Sequence, residues 1–126
     1  MQNKLKGKLG EKIALTYLVK KGYKILETNF HFSRFGEVDI IAELSKTRGR
    51  QIVFVEVKTR SDESFGHPFE AIGRQKMLKI FKCAQAYLAQ LRIKGENYGG
   101  FQIDAISILL NEKSPKIEHL ENLEIS

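Results

Sequence analysis

The stretch Ile52-Val53-Phe54-Val55-Glu56-Val57-Lys58 constrains the fold of this chain more than any other. Its near-continuous apolar run is that of a strand buried on both faces, which requires a sheet covered by further layers above and below. Side chains alternate along a strand, so Val53, Val55 and Val57 share one face while Ile52, Phe54, Glu56 and Lys58 share the other. A carboxylate and an ammonium therefore stand at the C-terminal end of an otherwise apolar strand. Each is expensive there unless it is paired or bound to a metal.

Glu37-Val38-Asp39-Ile40-Ile41-Ala42 repeats the anomaly. Alternation puts Val38, Ile40 and Ala42 on one face and Glu37, Asp39 and Ile41 on the other. If the two strands are neighbours, Asp39 meets Glu56 on a common face, although the pattern alone does not fix the register. Two converging carboxylates and a lysine meet the needs of phosphodiester hydrolysis. Asp and Glu oxygens hold Mg²⁺ or Mn²⁺. The cation stabilises the transition state and lowers the pKa of a bound water. The lysine orients that water or neutralises developing charge. The same three residues also suit a cross-strand ion-pair network without metal, and Glu-x-Lys alone does not separate the two.

The flanking sequence supplies the other layers. Leu5 to Lys21 has a helical pattern, with Leu5, Leu9, Ile13 and Tyr17 recurring every four residues beside Ala14 and Leu18, and Gly22 ending it. Glu11 stands with Ala14, Leu15 and Leu18 on a largely apolar stripe. It either reaches water at the stripe edge or reaches the metal of Asp39 and Glu56. Tyr23 to Phe32 reads as a first strand, Ser33 to Gly36 as a turn, Glu37 to Leu44 as a second strand, Ser45 to Gln51 as a basic connection and Ile52 to Thr59 as a third strand. Short connections favour an antiparallel meander. After a loop from Arg60 to Phe69, a long helix runs from about Glu70 to Ile93, with Met77, Ile80, Phe81, Ala84, Leu88 and Leu91 facing the core. A fourth strand, Phe101 to Leu110, follows a right-handed crossover and so lies parallel to a partner. Lys116 to Leu120 adds a short edge strand within the tail.

The chain has 126 residues and 42% hydrophobic content, enough for a single domain over 1–126 with 112–126 as a peripheral strand and tail. Lys plus Arg total 21 against 15 for Asp plus Glu, a formal charge of +6 that suits an anionic partner, nucleic acid first. Arg60 at the end of the third strand, and Lys46, Arg48 and Arg50 in the basic connection, are the candidate phosphate contacts. A solvated surface is the plain alternative for each. Cys83 is the only cysteine, which excludes an internal disulfide, fits a reducing cytoplasm and suits a small packed hydrophobe. No apolar run approaches the ~20 residues of a membrane span, and the N-terminal lysines precede no signal-peptide core. His31 and His119 have no partner suggesting zinc. His67 either touches substrate or is polar loop surface, the latter being the commoner case. Gln75 and Lys76 approach the site if the start of the long helix packs beside Glu56, and otherwise read as ordinary helix surface.

Gly36-Glu37-Val38-Asp39-Ile40-Ile41-Ala42 together with Val53-Phe54-Val55-Glu56-Val57-Lys58-Thr59-Arg60 closely resembles the YraN-like family of bacterial endonuclease-like proteins. Gly7 to Glu11, Gly22-Tyr23 and Asn29 extend the resemblance over nearly the whole chain. That family in turn resembles archaeal Holliday-junction resolvases and restriction endonucleases, which share an acidic residue on the first helix, an Asp, and Glu-x-Lys. The resemblance implies a restriction-endonuclease-like three-layer α/β fold, a mixed sheet flanked by helices. It implies Glu11, Asp39, Glu56 and Lys58 as catalytic residues, with Asp39, Glu56 and Glu11 as ligands of Mg²⁺ or Mn²⁺. It also implies DNA, branched or single-stranded, as substrate, and a homodimer by analogy with the resolvases. One departure stands out: the family's fourth strand often begins Arg-Phe-Asp, where this chain has Gln102-Ile103-Asp104.

Overall fold

The computed structural model describes residues 3–61, 72–111 and 113–124. His67 and the expected helix start at Glu70 lie outside the described residues. In chain order the elements are α1 (Asn3–Lys20), β1 (Lys24–His31), a 3-10 turn (Ser33–Phe35), β2 (Glu37–Lys46), β3 (Gly49–Arg60), α2 (Arg74–Ile93), β4 (Gly100–Leu109) and β5 (Lys116–Leu120). The five strands form one sheet in sequence order. β1, β2 and β3 are an antiparallel meander, β3 and β4 are parallel, and β5 returns antiparallel beside β4. The expected three-layer arrangement of restriction-endonuclease-like α/β proteins is therefore the one observed.

Each helix covers one face. α1 packs Ala14 and Leu18 on Ile40, Ala42, Val53, Val55, Ile106 and Ile108. α2 packs Met77, Ile80, Cys83, Ala84, Tyr87, Leu88 and Leu91 on Val38, Ile41, Ile52, Phe54 and Ile103. The central strand β3 thus buries Val53 and Val55 on one side and Ile52 and Phe54 on the other, as its apolar run requires. The four-residue recurrence in α1 meets the core only in its second half: Ile13 and Tyr17 pack against the α1-face cluster, while Leu5 and Leu9 remain 58% and 38% exposed. The buried stripe is Gly10, Ala14 and Leu18, with Glu11 on its flank. α1 ends in a Schellman motif. Gly22 takes φ 93°, the Tyr23 N–H donates to Leu18 O at 3.0 Å, and the Gly22 N–H donates to Val19 O at 3.0 Å. Among the described residues no helix is long and apolar enough to cross a membrane.

The basic connection is shorter than its composition suggests. β2 and β3 pair through Lys46↔Gly49, leaving only Thr47 and Arg48 as the turn, which Gly49 permits with φ 103°. Polar residues on the protruding end of a hairpin read as loop because neither face has a core to pattern them.

Candidate metal centre

Asp39 and Glu56 meet because of the β2–β3 register. Its last pair is Ile40↔Val55, so Asp39 and Glu56 are the residues immediately beyond it on the two strands. There the Asp39 carboxylate takes the place of a ladder carbonyl, accepting the Val57 N–H at 2.7 Å on Oδ2. Side-chain alternation is broken at this point. Val38 packs in the α2 layer while Ile40 packs in the α1 layer, so the simple expectation that Val38, Ile40 and Ala42 share a face does not hold. The break leaves Asp39 between the layers, near charged groups from both.

α1 delivers Glu11 to the same place through a close helix–strand contact. A Cβ on Gly10 would collide with the Thr59 side chain, so only glycine lets the helix sit this low over the end of β3. Lys6, Gly7, Glu11, Asp39, Glu56, Val57, Lys58 and Thr59 line one open cleft of about 330 Å³. All four residues expected at the catalytic centre therefore converge. Lys58 is exposed at the cleft mouth rather than buried on the apolar face, because β3 has run past the edge of α2's cover.

The electrostatics fit a cation site. Glu56 is 8% exposed, and burial pushes its carboxyl up to about 7, with the Asp39 charge adding to the shift and Lys76 and Lys58 opposing it. Asp39 is raised by burial despite the Val57 N–H, Lys76 and Lys58. Glu11 is raised by burial, then by Asp39 and Glu37, against a hydrogen bond from Asn29. Glu56 Oε2 is buried and has no hydrogen-bond partner among the described residues. An orphaned carboxylate oxygen in a polar cleft has the chemistry to coordinate a hard cation.

Two further residues belong to this centre: Lys76, for which the condition that the helix start packs beside Glu56 is met, and Glu37. Lys76, in the first turn of α2, places Nζ 3.3 Å from Glu56 Oε1. A lysine beside a buried methionine on a helix carries no signal of its own; only the crossover's landing point reveals it. Glu37, tied to His31 at 3.1 Å, adds negative potential at Glu11 and Asp39. The basic hairpin, in contrast, is at the other end of β3. Gly49 and Glu56 are seven residues apart, roughly 23 Å along a strand. Arg50 is bound to Glu43 at 2.8 Å and Glu96 at 3.3 Å. Lys46 and Arg48 are exposed there. Arg60 stays near the cleft as the last residue of β3, its carbonyl accepting the Leu110 N–H at 2.8 Å.

A second polar cluster lies on the α1 face at β4 and β5. Asp104, His119 and Glu121 offer ligand atoms within 4.8 Å of one another and form a group that can hold a metal ion. Its atoms are nevertheless already matched. Asp104 Oδ1 accepts from Gln102 Nε2 and the Asn122 N–H, each at 2.9 Å, and Oδ2 lies 2.7 Å from His119 Nε2. His119 Nδ1 is 3.0 Å from the Tyr17 hydroxyl. Gln102, where the resembled family often has arginine, thus serves as a neutral donor to a fully buried carboxylate. The expectation that His119 lacks partners is corrected: β5 brings it beside Asp104.

A mixed five-stranded sheet sandwiched by two helices defines a three-layer α/β protein, an arrangement consistent with the restriction-endonuclease-like fold. The chain belongs to the uncharacterised protein family UPF0102, whose profile matches residues 10–108. It is 48% identical over 120 residues to a UPF0102 protein of Alkaliphilus oremlandii, covering 95% of this chain and 97% of that one. The corresponding protein of Persephonella marina is 46% identical over 118 residues, covering 94% and 91%. Among solved structures, Pyrococcus furiosus SfsA in complex with Ca²⁺ aligns at TM-score 0.33 and 13% identity, over 95% of this chain and 64% of that one. A likeness of that size carries no weight for fold or activity.

Proposed function

We propose that this protein is a Mg²⁺- or Mn²⁺-dependent endonuclease acting on DNA, branched or single-stranded, in the cytoplasm. The observation that carries the reading is the buried, unpartnered Glu56 Oε2 beside Asp39 in a cleft that also holds Glu11 and Lys58. A divalent cation bound there supplies positive charge to the transition state and lowers the pKa of water. Asp39 and Glu56 are the ligands, and Glu11 approaches from α1. The Val57 N–H fixes the Asp39 carboxylate, so the ligand geometry is set before any cation arrives. Lys58 stands at the mouth, free to neutralise a phosphate oxygen. The open cleft admits a polymer rather than enclosing a small molecule.

The test is one panel of linear, single-stranded, flapped and four-way DNA, with RNA controls, in Mg²⁺, Mn²⁺ or EDTA. Wild type is expected to cleave at least one DNA with cation, and Glu56→Gln to bind that DNA without cleaving it. No cleavage, together with no Mn²⁺ binding by calorimetry, overturns the reading. The Lys76–Glu56 contact favours a second one, a partner-binding domain whose carboxylates and lysines form a structural ion-pair network. Under it, Glu56→Gln lowers stability and leaves cation affinity unchanged at nil.

A further inference from the structure

Three lysines belong to the cleft region, Lys6, Lys58 and Lys76, and the last two are not equivalent. Lys58 is exposed and forms no salt bridge among the described residues. Lys76 reaches in from α2 to Glu56 Oε1 at 3.3 Å, with its side chain 46% exposed and that of Glu56 only 10%. Its charge is also felt by Asp39 and by Cys83 deeper on α2. A half-exposed lysine is long and mobile, whereas the carboxylate it touches is fixed in the sheet.

We propose that Lys76 is an exchangeable counter-ion: it holds Glu56 when the cleft lacks a divalent cation, and moves to a substrate phosphate when the cation takes its place. This rests on the cation site proposed above. The charges favour such an exchange. Glu11, Asp39, Glu56 and the neighbouring Glu37, when ionised, carry four negative charges against three positive ones from Lys6, Lys58 and Lys76, leaving one negative charge. A divalent cation turns that total to one positive, which no longer holds Lys76 at Glu56 but matches one phosphodiester. The orphaned Glu56 Oε2 marks where the cation first engages; the Oε1 contact with Lys76 is the one surrendered. Lys76 therefore opposes cation binding in the free protein and supports nucleic-acid binding in the loaded one. A purely structural ion pair also opposes the cation but adds nothing to nucleic-acid binding in the loaded protein, so the DNA affinity of Lys76→Met separates the two.

The test needs no turnover. Mn²⁺ affinity is measured by calorimetry on wild type, Lys76→Met, Lys76→Arg and Glu56→Gln. Affinity for a labelled four-way DNA is measured with Ca²⁺ replacing Mn²⁺, and melting temperature controls for folding. Lys76→Met is expected to bind Mn²⁺ roughly three- to tenfold more tightly, because a single partly exposed competitor is gone. The same variant should bind the Ca²⁺-loaded complex's DNA several-fold more weakly, and Lys76→Arg should recover much of that loss. Unchanged or weaker Mn²⁺ binding by Lys76→Met overturns the exchange even if wild type binds Mn²⁺ well. No Mn²⁺ binding by wild type and by Lys76→Met alike overturns the cation site itself, and the exchange with it.

Discussion

The Asp39 carboxylate accepts the backbone N–H of Val57 at 2.7 Å, across the point where the β2–β3 ladder ends. One side chain thus completes the sheet and presents a ligand oxygen beside Glu56. Structure and site chemistry are coupled in Asp39 but can be separated by substitution. Asp39→Asn keeps an oxygen for Val57 and should remain close to wild-type stability. Asp39→Ala strands a half-buried N–H and should cost ~1–3 kcal/mol. Both should lose Mn²⁺ binding. Urea denaturation beside calorimetry checks this; equal stability loss in both variants would show that charge, not hydrogen bonding, holds the strand end.

Glu56 should make the metal-free protein less stable as pH rises. Its folded carboxyl lies at about 7 against an ordinary value of 4.5. Between these values the folded state binds more protons than the unfolded state, so stability falls with rising pH and levels off above about 7. The full effect is at most ~3 kcal/mol, and Lys76 can absorb part of it. Cation binding requires the ionised form and should strengthen over the same interval. Denaturation midpoints from pH 4 to 8 with EDTA, for wild type and Glu56→Gln, read this directly. A slope unchanged by the substitution would assign it to other groups.

Much of this centre is legible in the sequence because strand physics is local. The alternation in Ile52 to Lys58 places Glu56 at the end of a doubly buried strand, and the helix–strand order supplies the parallel β3–β4 pair. What the pattern hides depends on contacts between distant segments. Lys76 and Glu56 are twenty residues apart and meet only because α2 starts beside the end of β3. The Val38–Ile40 face break follows from Asp39 turning into the ladder, which a strict two-residue period does not anticipate. In the first half of α1, Gly10 rather than Leu5 and Leu9 marks the buried face, since close packing against Thr59 selects the absence of a side chain. Leu5 and Leu9 carry the helical period on the outside, where hydrophobicity alone reads as core.

Gly10 should therefore control where Glu11 sits. Gly10→Ala should destabilise by ~1–3 kcal/mol despite alanine's better helix propensity, because the new methyl meets Thr59. It should also weaken Mn²⁺ binding by lifting Glu11 away from the cleft. Thr59→Ala should relieve much of the penalty in the double variant. A double-mutant cycle measures this coupling; additive effects would mean that the helix and strand do not touch at this point in solution.

The Asp104 cluster should behave as a closed hydrogen-bond network rather than a second cation site. Asp104 is fully buried, and Gln102, the Asn122 N–H and His119 satisfy its two oxygens. His119→Ala removes the only group at Oδ2 in that set and should cost ~2–3 kcal/mol or more, because it leaves an oxygen of a buried carboxylate unmatched. Tyr17→Phe removes only the hydroxyl next to His119 Nδ1 and should cost about 1 kcal/mol. Gln102→Leu leaves Asp104 Oδ1 with the Asn122 N–H alone and should fall between the two. The discriminating background is Glu56→Gln, which removes the cation affinity expected at the first centre. There the melting temperature should be the same in EDTA and in Mn²⁺. A rise with Mn²⁺ that persists in Glu56→Gln but vanishes in Glu56→Gln/His119→Ala would instead place a cation among Asp104, His119 and Glu121.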